Sequence, residues 1–141
     1  MRTVLGTVTE FPPGEMRIVR VGGREIGVFR FGDEFYAVRN RCPHQGAPLC
    51  LGYILPRIAS SEPGVVDVLD APPLVACPWH GWQYDARTGQ AYAPGDPKVK
   101  SYGVSIERGE ALADQASDAS TQFVAETYDV FVDDDYLILD T

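Results

Sequence analysis

Histidine and cysteine are scarce in this sequence, and their scarcity limits the chemistry available to it. The 141 residues include two histidines and three cysteines. So few cysteines, and an odd number of them, exclude a disulfide-stapled scaffold and are typical of a reducing cytoplasm. No apolar run approaches the roughly 18 residues of a membrane helix, and the opening MRTVLGTVTE lacks the apolar segment of a signal peptide. We therefore expect a soluble, cytoplasmic protein without a membrane anchor.

Basic residues are also under-represented. Twelve Lys and Arg face 20 Asp and Glu, which gives a net charge of −8 and a pI near 4.6. This balance argues against nucleic acid or an anionic membrane surface as a partner. An acidic surface fits a protein partner with a basic docking patch, and it also serves solubility alone. The length predicts one domain over residues 1–141.

Helical periodicity is largely missing, and the apolar pattern has mostly a period of two. Gly22-Gly23, Gly32-Asp33 and 133–135 are turn signals, and 14 Gly and 11 Pro disfavour long helices. Only 110–119 reads as helix-like, and its Asp and Ser content fits a loop equally well. We predict an all-β fold of small antiparallel sheets, with strands at 16–21, 25–31, 35–39, 74–76, 102–107, 124–132 and 136–140.

Two segments look like additions to this scaffold. Residues 53–73 contain a Ser-Ser-Glu-Pro-Gly turn between two apolar runs, which predicts an extra hairpin or flap. Residues 110–122 are small and polar, and they predict a surface loop.

Both histidines and two of the cysteines fall into a pair of short motifs, Cys42-x-His44 and Cys77-x-x-His80. Chance is the simplest explanation for one such residue, but not for four beside Pro and Gly. A Cys₂His₂ zinc site is a second possibility. Zinc sites, however, usually pair Cys with Cys and His with His, whereas here each loop supplies one of each.

A [2Fe–2S] cluster with unequal irons requires that mixed arrangement. Two cysteines would hold the inner iron and two histidines the outer iron, and the bridging sulfides would complete four-coordination. With two thiolates instead of four, the oxidised cluster is neutral. Adding an electron to it costs less, so histidine ligation raises the reduction potential.

The stretches CPHQGAPL (42–49) and CPWHGWQYD (77–85) together resemble the signature of Rieske [2Fe–2S] proteins. Flanking stretches at 35–40, 85–89 and 93–97 extend the resemblance over about residues 3–107 and the closing hairpin. It implies a Rieske-type fold with a cluster-binding subdomain (41–97) carried on two loops and interrupted by the 53–73 insertion. It also implies one cluster per chain, held by Cys42, His44, Cys77 and His80.

Several residues around the ligands have expected supporting roles. Gly46 and Gly81 would let the loop backbone approach the sulfides and donate N–H bonds to them. Trp79 and Trp82 are expected to pack, and to exclude water as a secondary effect. The Tyr84 hydroxyl is a candidate donor to the Cys77 sulfur. The resemblance places Pro94 in a loop that shields the cluster. Cys50 is expected to be an inert, small apolar residue near the first loop.

The resemblance also indicates which kind of Rieske protein to expect. Respiratory members carry an additional cysteine in each loop, joined as a disulfide, and a serine that binds a bridging sulfide. Ala47, Trp79 and Trp82 stand at the matching positions here. The disulfide and the serine are therefore absent, and their absence predicts a low reduction potential, nearer about −150 mV than +300 mV. The histidine ligands predict a midpoint that is flat near neutral pH and falls in alkaline solution.

Ring-hydroxylating oxygenases need a second iron held by two further histidines and a carboxylate, and this chain has no histidine left for one. The sequence thus predicts a non-enzymatic electron carrier between a flavin reductase and a terminal oxygenase, with His44 and His80 at the surface tip. One alternative is a small electron-transfer subunit of another reductase complex, similar to that of nitrite reductase. The other is a redox sensor or a binding module stapled by the cluster.

Overall fold

The computed structural model describes residues 2–43, 45–93, 97–111 and 135–141. The regular structure in these ranges consists of strands, two short 3₁₀ turns at Val8–Glu10 and Leu49–Leu51, and three helical residues at 109–111. The strands are β1 (Arg2–Thr7), β2 (Met16–Val21), β3 (Arg24–Phe31), β4 (Glu34–Arg39), β5 (Tyr53–Leu55), β6 (Ile58–Ala59), β7 (Asp67–Val68), β8 (Leu74–Ala76), β9 (Gln83–Asp85), β10 (Ser101–Arg108) and β11 (Asp135–Asp140).

The strands form a large sheet, a small sheet and a separate hairpin. The large sheet has six strands in the order β1-β11-β10-β4-β3-β2, and the small one has the order β5-β8-β9. The strands β6 and β7 pair only with each other among the described strands. Every one of these strand pairings is antiparallel. The predicted all-β class is confirmed.

Strand positions agree with the sequence pattern where a strong turn fixes them. The bounds of β2 and β8 are those predicted, and β3, β4, β10 and β11 begin or end within one residue of the prediction. Gly22 and Gly23, with φ of 59° and 76°, form the turn between β2 and β3, a conformation that favours glycine. The predicted strand at 124–132, most of the turn at 133–135 and nearly all of 110–122 lie outside the described residues.

The strand β11 lies inside the large sheet, between β1 and β10. Leu137, Ile138 and Leu139 are completely buried there. Leu137 and Leu139 pack on one face with apolar side chains of the other strands, whereas Ile138 packs on the opposite face with Val4 and Tyr136. A strand buried on both faces shows no clean alternation of polar and apolar residues, and the run Leu137–Leu139 has that character.

A second apolar cluster joins the large sheet to the small one and includes all three cysteines. Its buried members are Phe29, Tyr36, Val38, Cys42, Ala47, Leu49, Cys50, Val75, Cys77, Tyr84, Ala86 and Val99. Cys50 lies against Gly27 of β3 so closely that a Cβ on this glycine would overlap the cysteine side chain. The absence of a side chain at Gly27 therefore lets Cys50 and the end of the first cysteine loop pack closely against the large sheet.

The segment predicted as an insertion divides into two parts. Residues 53–55 are β5, which pairs with β8 and so belongs to the small sheet. The addition proper is therefore 56–73, which contains the predicted hairpin as β6 and β7, with Ile58 opposite Val68. The sequence did not predict β5, because a three-residue strand beside a motif has too little pattern to be recognised. Below, the inserted segment means 56–73.

None of the helical residues described in this chain belongs to a segment long and apolar enough to span a bilayer.

Candidate metal centre

Two loops carry the cysteine motifs, and both close with the same backbone hydrogen bonds. In the first, the Cys42 N–H donates to the Ala47 carbonyl (2.8 Å), and the Gly46 N–H donates to the Cys42 carbonyl (2.7 Å). In the second, the Cys77 N–H donates to the Trp82 carbonyl (2.7 Å), and the Gly81 N–H returns to the Cys77 carbonyl (3.0 Å). The loops are therefore structural repeats, although the sequence spacing within the two motifs differs.

Gly46 and Gly81 permit this closure because both adopt a left-handed conformation, with φ of 75° and 72°. Side-chain-bearing residues reach that region only at a cost. A Cβ on Gly81 would meet no atom within 4 Å, so backbone conformation explains this glycine better than crowding does. The N–H groups of these two glycines donate to the cysteine carbonyls. The expected donation from the loop backbone to bridging sulfides stays a prediction.

The two cysteine sulfurs lie together beneath these loops. Cys42 and Cys77 are 2% and 3% exposed, and their thiols are within hydrogen-bonding reach of each other. Burial raises the pKa of the Cys77 thiol, and the neighbouring Cys42 raises it further. The backbone N–H groups of Trp79 and His80 point at the Cys77 sulfur and act in the opposite direction, because they favour the thiolate.

Tyr84 places a hydroxyl next to the same pair of sulfurs. The register of β9 sets Tyr84 opposite Val75 on β8, and its ring is completely buried. Its oxygen lies 3.3 Å from the Cys42 Sγ. The family resemblance led us to expect the Cys77 sulfur as its partner. The contact with Cys42 is made across 42 residues and depends on how the small sheet packs on the first loop.

The outer surface of the second loop is open to solvent. His80 is exposed, and Trp79 is 56% exposed, so the expectation that Trp79 packs in the interior was wrong. Trp82 is partly buried against the cluster of apolar side chains that includes the cysteines, as expected for a packing residue. His44 and Pro94 lie outside the described residues.

The residues at this site fit a [2Fe–2S] cluster. Two buried thiols side by side cannot both ionise without a nearby positive charge, and metal ions supply that charge in thiolate sites. Backbone N–H groups and a tyrosine hydroxyl aimed at the sulfurs are donors of the kind that stabilise metal-bound thiolates. The described part of the chain, which leaves out His44, contains no group of three or more His, Cys, Asp or Glu side chains with the placement of a metal site.

A salt bridge behind the second loop was missed by the sequence analysis. The Arg57 guanidinium, from the inserted segment, donates to the Asp85 carboxylate at 2.5 Å and to the Pro72 carbonyl at 3.2 Å. Asp85 also accepts the N–H groups of Arg87 and Thr88 at 2.8 and 2.9 Å. Burial raises the pKa of Asp85, but the Thr88 N–H and the Arg57 guanidinium outweigh it and leave the pKa below its usual range. The Asp-x-x-Thr-Gly turn was visible in the sequence, but nothing there indicated Arg57 as its partner.

Cys50 is separate from the sulfur pair. Its N–H donates to the Asn40 Oδ1 at 2.8 Å, and burial raises the pKa of its thiol to about 12. A thiol with that pKa is protonated at physiological pH, in agreement with the expected inert role.

The fold and the site define a class: small all-β domains in which two repeated loops hold a metal centre at one end. A profile of the Rieske [2Fe-2S] domain matches residues 1–103. The chain belongs to the Rieske [2Fe-2S] domain family.

Two curated relatives illustrate the range of proteins that carry this domain. The anthranilate 1,2-dioxygenase ferredoxin subunit of Burkholderia cepacia is 34% identical over 107 residues, which are 75% of this chain and 84% of the relative. Apoptosis-inducing factor 3 of Mus musculus is 31% identical over 121 residues, which are 85% of this chain. The aligned part is 17% of the length of that second relative, so this chain matches only one section of a much longer protein.

Solved structures give the same assignment of fold. The ferredoxin of carbazole 1,9a-dioxygenase from Nocardioides aromaticivorans IC177 is 30% identical, with a TM-score of 0.56 over 74% of this chain and 90% of that one. A complex of reduced oxygenase and oxidised ferredoxin of carbazole 1,9a-dioxygenase matches at 25% identity and a TM-score of 0.55, over 74% and 92% of the two chains. A protein described as an NADH-dependent nitrite reductase small subunit, from Mycobacterium tuberculosis, has a TM-score of 0.63 over 100% and 95%, but its 14% identity shows the fold alone.

Proposed function

We propose that this chain is a one-electron carrier that receives electrons from a flavin-containing reductase and passes them to a terminal oxygenase. The observation that carries the proposal is the pair of matched loops, which bring two buried cysteine sulfurs together under a tip where His80 is exposed. The naming of similar proteins as ferredoxin subunits of dioxygenases supports it.

In this proposal Cys42, His44, Cys77 and His80 hold one [2Fe–2S] cluster per chain. The bound cluster supplies a site that gains and loses a single electron. The chain's own residues do the rest. The core of the domain shields the two sulfurs from water, and the Tyr84 hydroxyl and the N–H groups of the second loop stabilise negative charge on them.

The exposed tip provides a short exit for the electron. Because His80 and Trp79 reach solvent, a partner can approach the site without any rearrangement of the core. The solved complex between an oxygenase and its ferredoxin supports a terminal oxygenase as one partner. Acidic residues outnumber basic ones by 20 to 12, which supports partners with basic docking patches and a transfer rate that falls with salt.

The proposal excludes oxygenase activity for this chain itself. A mononuclear iron of the oxygenase type needs two histidines and a carboxylate, and both histidines of this sequence belong to the proposed cluster ligands. We further propose that residues 1–141 form a single Rieske domain, with 41–97 as the cluster-binding part. We also propose that it works in the cytoplasm, as three unpaired cysteines suggest.

The first experiment is an EPR spectrum of the purified protein after dithionite reduction, with iron and acid-labile sulfide counted on the same sample. We expect a rhombic signal of low average g, with two irons and two sulfides per chain. A silent sample containing one zinc would overturn the proposal. A potentiometric titration then measures the midpoint, which we expect to lie nearer about −150 mV than +300 mV.

The second experiment separates a carrier from a sensor or a reductase subunit. Extract of the source cells is fractionated, and the visible spectrum of the protein reports its redox state. One assay follows NADH-dependent reduction of the protein by each fraction. The other follows reoxidation of the reduced protein by an oxygenase fraction with substrate. Rapid turnover by two separate fractions supports the carrier. Reduction without any fraction that reoxidises the protein would favour the sensor.

A further inference from the structure

Exposed apolar side chains are concentrated in one stretch of the described chain. Among the described residues, ten large apolar side chains are exposed, and eight of them lie between positions 51 and 92. The other two are Ile18 and Ile106 in the large sheet. The eight are Leu51, Tyr53, Ile58, Val66, Val68, Leu69, Trp79 and Tyr92. Half of these belong to the inserted segment, so this addition exposes apolar surface where a solvated hairpin would normally be polar.

The hairpin β6–β7 is held in place beside the second cysteine loop. Arg57, directly before β6, is bound to Asp85 at the end of β9, and the Leu69 N–H donates to the Arg57 carbonyl at 2.9 Å. The Arg57 guanidinium also lies 6.0 Å from the centre of the Tyr92 ring. These contacts orient the exposed pair Ile58 and Val68 relative to the cluster loops.

Two cavities with shared lining residues lie between the hairpin and the second cysteine loop. The first, of about 360 Å³, is lined by Ile58 and Leu69 of the inserted segment together with Gln83 and Tyr92. The second, of about 330 Å³, is lined by Gln83 and Tyr92 again, and by Gly81 and Trp82 of the second loop. Gln83 and Tyr92 therefore line both cavities, one of which includes hairpin residues and the other Gly81, the immediate neighbour of His80.

The charge on the hairpin is one-sided. Glu62, Asp67 and Asp70 are exposed, whereas the one basic residue of the inserted segment, Arg57, is engaged by Asp85. The surface thus combines apolar side chains with an acidic rim. Its complement is an apolar strip flanked by Lys or Arg, and buried apolar contacts with a polar rim are the usual composition of protein interfaces.

We propose that the β6–β7 hairpin is a second part of the docking face of this protein and binds the terminal oxygenase beside its point of electron entry. The hairpin provides apolar contact, and the exposed tip of the second loop provides the route for the electron. The inference rests on the proposed carrier function and adds to it the element that selects the partner. An oxygenase recognised in this way has an apolar strip with a basic rim next to its own redox centre.

The test uses the holoprotein and the oxygenase fraction that reoxidises it. In the double variant Ile58→Thr and Val68→Thr, both residues stay β-branched, so the pairing of β6 with β7 is retained while apolar surface is lost. We expect the KM of the oxygenase for the carrier to rise about tenfold, with kcat nearly unchanged, because central apolar contacts dominate interface energies. The variant Asp67→Asn with Asp70→Asn should reduce the salt dependence of the same KM.

The matched control is the double variant Ile18→Thr and Ile106→Thr, which removes similar exposed side chains from the large sheet. It should leave KM unchanged, and in all variants the EPR signal and the midpoint potential should equal those of the wild type. An unchanged KM in the hairpin variant would overturn the inference while leaving the carrier function intact. A wild-type dimer that the hairpin variant converts to monomers would also overturn it, by identifying a second copy as the occupant. If no oxygenase reoxidises the wild type, the carrier function itself has failed.

Discussion

The Cys42 loop and the Cys77 loop close with the same pair of hydrogen bonds, yet the residues that follow Gly46 in the first are packed into the core, whereas 78–81 of the second are all exposed. Ala47, Leu49 and Cys50 bury the first loop against the large sheet, whereas Trp79 and His80 leave the second exposed. Their sulfurs also have different donors, a tyrosine hydroxyl at Cys42 and backbone N–H groups at Cys77. A shared backbone arrangement can thus hold two equivalent ligands while their surroundings divide structural and surface roles between them.

Removing either cysteine sulfur should have the largest effect of the predicted changes. The loss of bound iron should be the same for both loops. We expect Cys42→Ser and Cys77→Ser each to abolish the bound iron and the visible absorption, because both thiolates are needed at the inner iron. Iron and sulfide counts on the purified variants measure this. Cys50→Ala is the matched control and should keep the full metal content at a modest cost in stability. Loss of iron in this control as well would mean that burial, and not ligation, is being tested.

Substituting Gly46 and Gly81 compares the contribution of each cysteine loop to the stability of the protein. Gly46→Ala and Gly81→Ala should each lower the free energy of unfolding by about 1–2 kcal/mol, because both residues adopt a left-handed φ near 75°. Denaturant unfolding of the holoprotein measures both losses. Gly64→Ala, at a glycine of positive φ in the inserted hairpin, shows what the same strain costs away from the site. Unequal losses at Gly46 and Gly81 would show that the loops are not mechanically equivalent.

Removing the Tyr84 hydroxyl removes a hydrogen-bonding partner of the Cys42 sulfur. A hydrogen bond to this sulfur stabilises the reduced, more negative state, so Tyr84→Phe should lower the midpoint potential. A loss of about 1 kcal/mol corresponds to about 40 mV for a one-electron couple. Potentiometric titration followed by EPR measures the shift. Tyr36→Phe is the control, since that hydroxyl donates to Glu34 and not to a sulfur, and a similar shift in the control would contradict this account.

The smallest effect concerns the salt bridge between Arg57 and Asp85, which lies behind the second loop. The pKa of Asp85 is lowered in the folded protein, so its stabilising contribution is present above the unfolded value near about pH 4 and is lost as pH falls through the folded value. Asp85→Asn should therefore cost about 1 kcal/mol at pH 7, and less below pH 4. Thermal unfolding midpoints of wild type and variant over this pH range measure the difference. Glu34→Gln, at an exposed ion pair with Arg87, should show little change at either pH.

The sequence was most informative where a short motif or a turn is defined by neighbouring residues. The turn at Gly22-Gly23 located β2 and β3, and the two Cys/His motifs located the loops. It failed where a contact joins distant segments. The strand β1 went unrecognised because its burial is continuous over Val4 and Leu5 and its partner is β11, at the other end of the described chain.

The donor to each sulfur was likewise beyond the sequence. Tyr84 lies seven positions after Cys77 but contacts Cys42, because the register between β8 and β9 decides where its ring points. The tie between Arg57 and Asp85 has the same cause, since the inserted segment folds back onto the turn after β9. Local patterns therefore located the two cysteine loops, and sheet register determined how their side chains meet the rest of the fold.

The position of β11 inside the large sheet has a consequence for synthesis on the ribosome. The strands on either side of it, β1 and β10, are made earlier, so their facing edges stay apart until β11 emerges. Both cysteine loops have left the ribosome by then, and the small sheet has all of its strands. A nascent chain can therefore meet iron–sulfur assembly factors with its ligand loops formed, before β11 has joined the large sheet.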